Sequence, residues 1–72
     1  MPKKYNERKT YCSPDYVEIT HADGSLVWAD LTRDGSWFVW VHEGSSQEKC
    51  PVGVYDWLDA QFVICAISDA LM

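Results

Sequence analysis

The sequence predicts an α+β fold: a three-stranded antiparallel meander followed by one C-terminal helix packed on one sheet face, a two-layer βββα unit. Three observations predict it. Two Asp-Gly-Ser turns stand in register, at Asp23-Gly24-Ser25 and Asp34-Gly35-Ser36. β-Branched and aromatic residues fill the segments on either side of them. From Trp57 onward, apolar residues recur at helical spacing.

Taken in order, residues 1–12 read as a basic flexible tail or a short edge strand, and residues 13–72 as a single small domain. Ser13-Pro14-Asp15 has turn composition. The three strands are expected over 16–21, 26–32 and 37–42. Asp-Gly pairs accept positive φ at low cost and suit the hairpin turns between them. Residues 44–49 form a polar connector. Pro51 suits the first turn of a helix, and Trp57, Ala60, Ile64, Ile67 and Leu71 share one helical stripe. The helix is therefore expected to run from Val52 or Val54 to Leu71. Asp56 and Asp59 would complement its positive end.

Side chains alternate between the two faces of a strand. One face collects Val17, Ile19, Val27, Ala29, Leu31, Trp37, Val39 and Val41. All are apolar, so this face is expected under the helix; the alternative is a helix over the aromatic face, with a dimer covering the aliphatic one. The opposite face collects Tyr16, Glu18, Thr20, Leu26, Trp28, Asp30, Phe38, Trp40 and His42. That face has no cover within the βββα unit unless Tyr5 and Tyr11 fold over it. A second apolar surface, formed by Val54, Leu58, Phe62 and Cys65 on the far side of the helix, would serve a homodimer.

The chain has 72 residues, 47% of them hydrophobic and 24% charged, with a formal net charge of −5. That balance belongs to a folding chain and leaves room for one domain. The longest apolar run, 62–67, is far short of the roughly 20 residues a bilayer requires, so no membrane role is expected. The charged N-terminus does not read as a secretory signal. Cys12, Cys50 and Cys65 are odd in number and lack framework spacing, which points to a reduced, cytoplasmic setting. A Cys12–Cys50 bridge stays open. Charge is uneven: residues 1–10 carry Lys3, Lys4, Arg8 and Lys9 against Glu7, whereas the remainder carries only Arg33 and Lys49 against ten acids.

No catalytic residues, metal ligands or cofactor are expected. The cysteines and His21 and His42 are too far apart in sequence for a zinc pattern. No signature pairs a cysteine with a histidine as nucleophile and base. Cys65 reads as an inert core thiol, and Cys50 as a thiol just before the helix. The glycines do not form a phosphate loop.

The expected function is therefore a small acidic protein-binding module, not an enzyme. Tyr16, Trp28, Phe38 and Trp40 would be its anchors, and Asp30, Asp34, Glu43 and Glu48 its acidic rim. The expected partner is a larger protein or nucleoprotein complex with a basic surface. A second reading is a single-stranded nucleic-acid binder that stacks bases on the same aromatics and uses the basic tail. The acidic body opposes it. A third is a self-assembling structural subunit. In size, charge and absence of catalytic motifs the chain resembles phage-encoded inhibitors of host machinery, anti-CRISPR proteins among them. The resemblance carries over no individual residue. It implies steric occlusion of a partner's surface.

Overall fold

The structure is a computed structural model in which residues 8–71 are described. It is an α+β fold with an antiparallel sheet and one C-terminal helix packed on it. The sheet has five strands, not three: β1 (Arg8–Ser13), β2 (Tyr16–His21), β3 (Leu26–Leu31), β4 (Trp37–His42) and β5 (Cys50–Tyr55), followed by α1 (Trp57–Ala70). They lie in the order β1-β2-β3-β4-β5, each paired antiparallel with the next.

The three central strands form where the alternation places them. Gly24 takes φ 92° in the β2–β3 turn, a conformation that costs glycine little. Asp23 completes that turn by accepting the Ser25 amide at 2.9 Å. Gly44 meets a different demand. A Cβ there would lie 2.3 Å from the Asp23 carbonyl oxygen. This close approach joins the β4–β5 connector to the β2–β3 turn, and the Gly44 amide donates to Ser25 Oγ at 2.8 Å.

The two added strands correct the expected boundaries. β1 is the short edge strand expected as one of the two readings of residues 1–12, extended to Ser13 and joined to β2 by the two-residue Pro14–Asp15 turn. Residues 1–7 of the expected tail lie outside the described residues. Residues 50–55, expected to open the helix, instead pair with β4. Pro51 therefore sits on an edge strand, where a missing N–H is tolerated, and Cys50 begins β5 well before the helix. The register slips opposite Val39 and Trp40, so that Val52 is an extra residue beside Gly53. The helix starts only after Asp56, whose carboxylate caps it by accepting the Asp59 amide at 2.8 Å. Val54 consequently belongs to β5 and not to a helix face.

The helix covers the aliphatic side of the sheet, as expected. The core comprises Val17, Ile19, Val27, Ala29, Trp37, Val39, Ala60 and Ile64, with Val52, Tyr55, Val63 and Ile67 packed around it. Leu31, expected in this core, is exposed at the end of β3, and Val41 is half-buried. Trp57 is also exposed in part, with its ring 4.6 Å from that of Trp37. α1 packs on β3, β4 and β5. That offset leaves an apolar groove beside β1, lined by Cys12, Val17, Ile19, Trp57, Ile64 and Cys65.

One buried polar cluster ties the end of the helix to the β1–β2 edge. Ser68 is fully buried, and its Oγ lies 2.9 Å from Nε2 of buried His21. Arg8 Nη1 donates to the same Oγ at 2.9 Å and to Asp69 at 2.8 Å. Every buried side-chain nitrogen and oxygen among the described residues has a partner. All three cysteines are free and exposed, so Cys65 is not the core thiol expected. Cys12 and Cys50 stand on opposite sheet edges, four strand spacings or about 19 Å apart. An intramolecular bridge between them is excluded. No described helix is long and apolar enough to cross a membrane.

Replacing Ser68 with Ala strands His21 and part of Arg8 without their shared partner. Stability should fall by about 1–3 kcal/mol in urea unfolding, with little change in the native circular dichroism spectrum.

Candidate functional site

The sheet face opposite the helix carries the predicted aromatic residues, and the register brings them side by side. Trp28 on β3 pairs directly with Trp40 on β4. Their rings are 6.1 Å apart and inclined by only 7°. Phe38, two residues before Trp40 and therefore on the same face, stacks on it at 4.8 Å and 14°. All three are half-buried, so they support one another while keeping contact area open. Aromatic pairs of this kind add about 0.5–1.5 kcal/mol beyond their burial.

Tyr16 lies further toward β1. Its hydroxyl donates to Glu18 Oε1 at 2.6 Å, and Thr20 Oγ1 donates to Glu18 Oε2 at 3.2 Å. Burial pushes the Tyr16 phenol well above its ordinary range, and the bond to Glu18 pushes it further. Tyr16 thus remains a protonated donor at any physiological pH. Glu18 in turn has both oxygens engaged by its own strand.

Three residues join this face that the sequence analysis did not assign to it as site residues. Tyr11 extends it from β1, 6.2 Å from Tyr16 and 58% exposed, so it flanks the aromatics and does not cover Trp28 or Trp40. Tyr5 lies outside the described residues. Val54 opposes Phe38 from β5 and is also exposed. Lys49 holds its ammonium 5.8 Å from the Trp28 ring centroid, a cation–π contact. Lys49, Tyr16, Leu26, Trp28 and His42 together line a shallow depression. The signals for Tyr11 and Val54 were the Pro14–Asp15 turn and the Gly53 that interrupts a would-be first helical turn.

The four acids of the expected rim are not brought together. Asp30 is exposed on the aromatic face, opposite Phe38 and Tyr16. Asp34 serves its own turn, accepting the Thr32 hydroxyl and the Ser36 amide. Glu43 and Glu48 lie on the β4–β5 connector at the opposite end of the strands. Glu43 borders a cleft with Asp23, Ala70 and Leu71 on the helix side. The Glu48 carbonyl lies 3.3 Å from His42 Nδ1. On the helix, Leu58, Phe62 and Cys65 are exposed, at 63% and 68% for the first two. Val54, the fourth member of that expected set, is on the sheet.

Among the described residues no group of three or more His, Cys, Asp or Glu side chains is placed to hold a metal ion. Ser68 and His21 form a hydroxyl–imidazole pair, but Ser68 has no exposed surface and also accepts from Arg8. This pair acts as a structural tie. Comparison with family models, curated proteins and solved structures finds no match to this chain.

Asp23 and Asp34 give the surface a pH dependence. The Ser25 amide holds the Asp23 carboxyl below the usual aspartate range, and the Thr32 hydroxyl does the same for Asp34. The unfolded chain then binds more protons than the folded one just below the ordinary aspartate value. The stability these groups contribute is complete above that value and is lost as pH falls through their lowered folded pKa. Urea unfolding followed from roughly pH 5 to pH 2 should lose stability less steeply in an Asp23→Asn, Asp34→Asn double variant than in the wild type.

Proposed function

We propose that this chain is a small acidic protein-binding module that acts without catalysis, docking its aromatic sheet face on a larger protein or nucleoprotein complex and occluding the surface it covers. The observation that carries the reading is the stacked set of Trp28, Trp40 and Phe38 on a face the helix leaves open. An antiparallel sheet with one wet face normally places polar residues there. Half-buried, mutually braced aromatic rings have the character of interface anchors, which combine large contact area with little entropy left to lose.

Charge directs the choice of partner. The chain carries −5 overall, and Asp30 lies beside the aromatics. A basic surface would therefore approach it favourably. Occlusion of such a surface is the mode of action that the size and charge resemblance to phage-encoded inhibitors implies.

A second reading shares the same aromatics. Trp28, Phe38 and Trp40 resemble the stacking platforms of single-strand binders, and Lys49 lies over one of them. Phosphate recognition requires a positive track along the backbone. Among the described residues the cations on this face are Lys49 and Lys9, set against Glu18 and Asp30, so the protein-partner reading is preferred.

The two readings separate in a paired experiment. Nuclease-treated lysate of the native host is passed over wild-type protein and over Trp28→Ala and Trp40→Ala variants. Fluorescence anisotropy with labelled oligo(dT) is measured in parallel at low salt. The proposed function expects a protein retained by the wild type after nuclease. Each alanine should weaken that retention by about 2 kcal/mol. It also expects no salt-sensitive oligonucleotide binding. Strong oligo(dT) binding lost in the same variants would instead select the nucleic-acid reading.

A further inference from the structure

The two edges of the sheet are unlike. β5 carries Pro51 and a bulge at Val52, two devices that prevent further strand pairing. β1 has neither. Among the described residues it pairs with β2 on one side only, and five of its six residues are exposed, with Ser13 half-buried. Its closing pair with β2, Ser13 and Tyr16, flanks a two-residue turn and must be hydrogen-bonded for the ladder to reach it. Alternation then gives residues 9, 11 and 13 inward bonds to β2. The peptide groups of Arg8, Thr10 and Cys12 turn outward.

We infer that two copies of this chain pair antiparallel through β1, about a two-fold axis at Tyr11, to form one continuous ten-stranded sheet. This inference does not depend on the partner proposed above. An axis perpendicular to the sheet keeps both aromatic faces on the same side and pairs residues of like parity. With the axis at Tyr11, Thr10 of each copy exchanges bonds with Cys12 of the other through the groups that point outward. Lys9 comes opposite Ser13 of the second copy, whose hydroxyl holds Asp15 at 3.1 Å, so a cation meets an anion at each end. Shifting the axis to Thr10 draws the two Lys9 residues together. Shifting it to Cys12 leaves only three residues of β1 paired. Tyr11, exposed as a single ring, becomes a cross-axis pair that joins the two aromatic faces.

Sedimentation of the wild-type chain across a wide concentration range tests the pairing. A reversible dimer is expected, and a monomer at all concentrations overturns the inference. Thr10→Pro removes an outward N–H without breaking the β1–β2 ladder. It should raise the dimer dissociation constant at least about tenfold while the circular dichroism spectrum is retained. A folded Thr10→Pro variant that dimerises like the wild type, for example through Leu58 and Phe62, overturns it. Should that variant fail to fold, cross-linking decides. In a background with the three native cysteines changed to Ser, Tyr11→Cys should oxidise to a covalent dimer. Its Cα atoms would be about 4.5 Å apart across a non-hydrogen-bonded pair. Lys9→Cys, four residues out of register with itself, should not. Equal cross-linking at both positions, or none at Tyr11→Cys, overturns the inference.

Discussion

Ala29 on β3 and Ala60 on α1 are both completely buried in the hydrophobic core of the described residues. Their small side chains let the helix lie close to the sheet, with Ile64 in the same core beside Val17 and Ile19. That seat determines the rest of the molecule. A 14-residue helix covers about one face of three strands, so β3 to β5 receive it and β1 does not. Among the described residues the opposite face must then stabilise its aromatics without a second layer. It does so by stacking ring on ring across the β3–β4 pair.

The same seat explains why the Ser68–His21–Arg8 cluster lies where it does. The last helical turn passes over the end of β2, where a serine and not a larger apolar residue faces His21. Arg8 reaches across from β1 to the same hydroxyl and to Asp69. Because the guanidinium is partly exposed, its ion pair adds little by itself. Its larger effect is to hold the strand that the helix fails to cover.

The central meander was legible because its signals are local. Asp-Gly turns and strict alternation from Val17 to Val41 specify register without knowledge of the remainder. The aromatic face was legible for the same reason. β5 was not, because Pro51 and Gly53 are strand breakers in isolation and are tolerated only through an edge position and a bulge supplied by β4. β1 was half-legible, since Arg8 looks like part of a solvated tail until Ser68 and Asp69 supply its partners from the helix. Of the expected helix stripe, Ala60, Ile64 and Ile67 pack on the sheet while Trp57 is exposed and Leu71 is the C-cap, and the helix start is set by the Asp56 cap and not by the apolar spacing. The acidic rim failed on a similar point. Asp34 spends its acceptors on its own turn, and the connector bearing Glu43 and Glu48 follows a path fixed by the close contact at Gly44, which no periodicity encodes.

The guarded β5 edge has a consequence for how the chain behaves when it is abundant. A sheet able to accept a strand on one side only has a valence of one. Whatever joins β1, the described residues leave no second open edge from which another molecule could grow by strand addition. Fibril growth requires two complementary edges on every unit. A proline and one extra residue thus oppose edge-to-edge growth of an aromatic sheet on its β5 side.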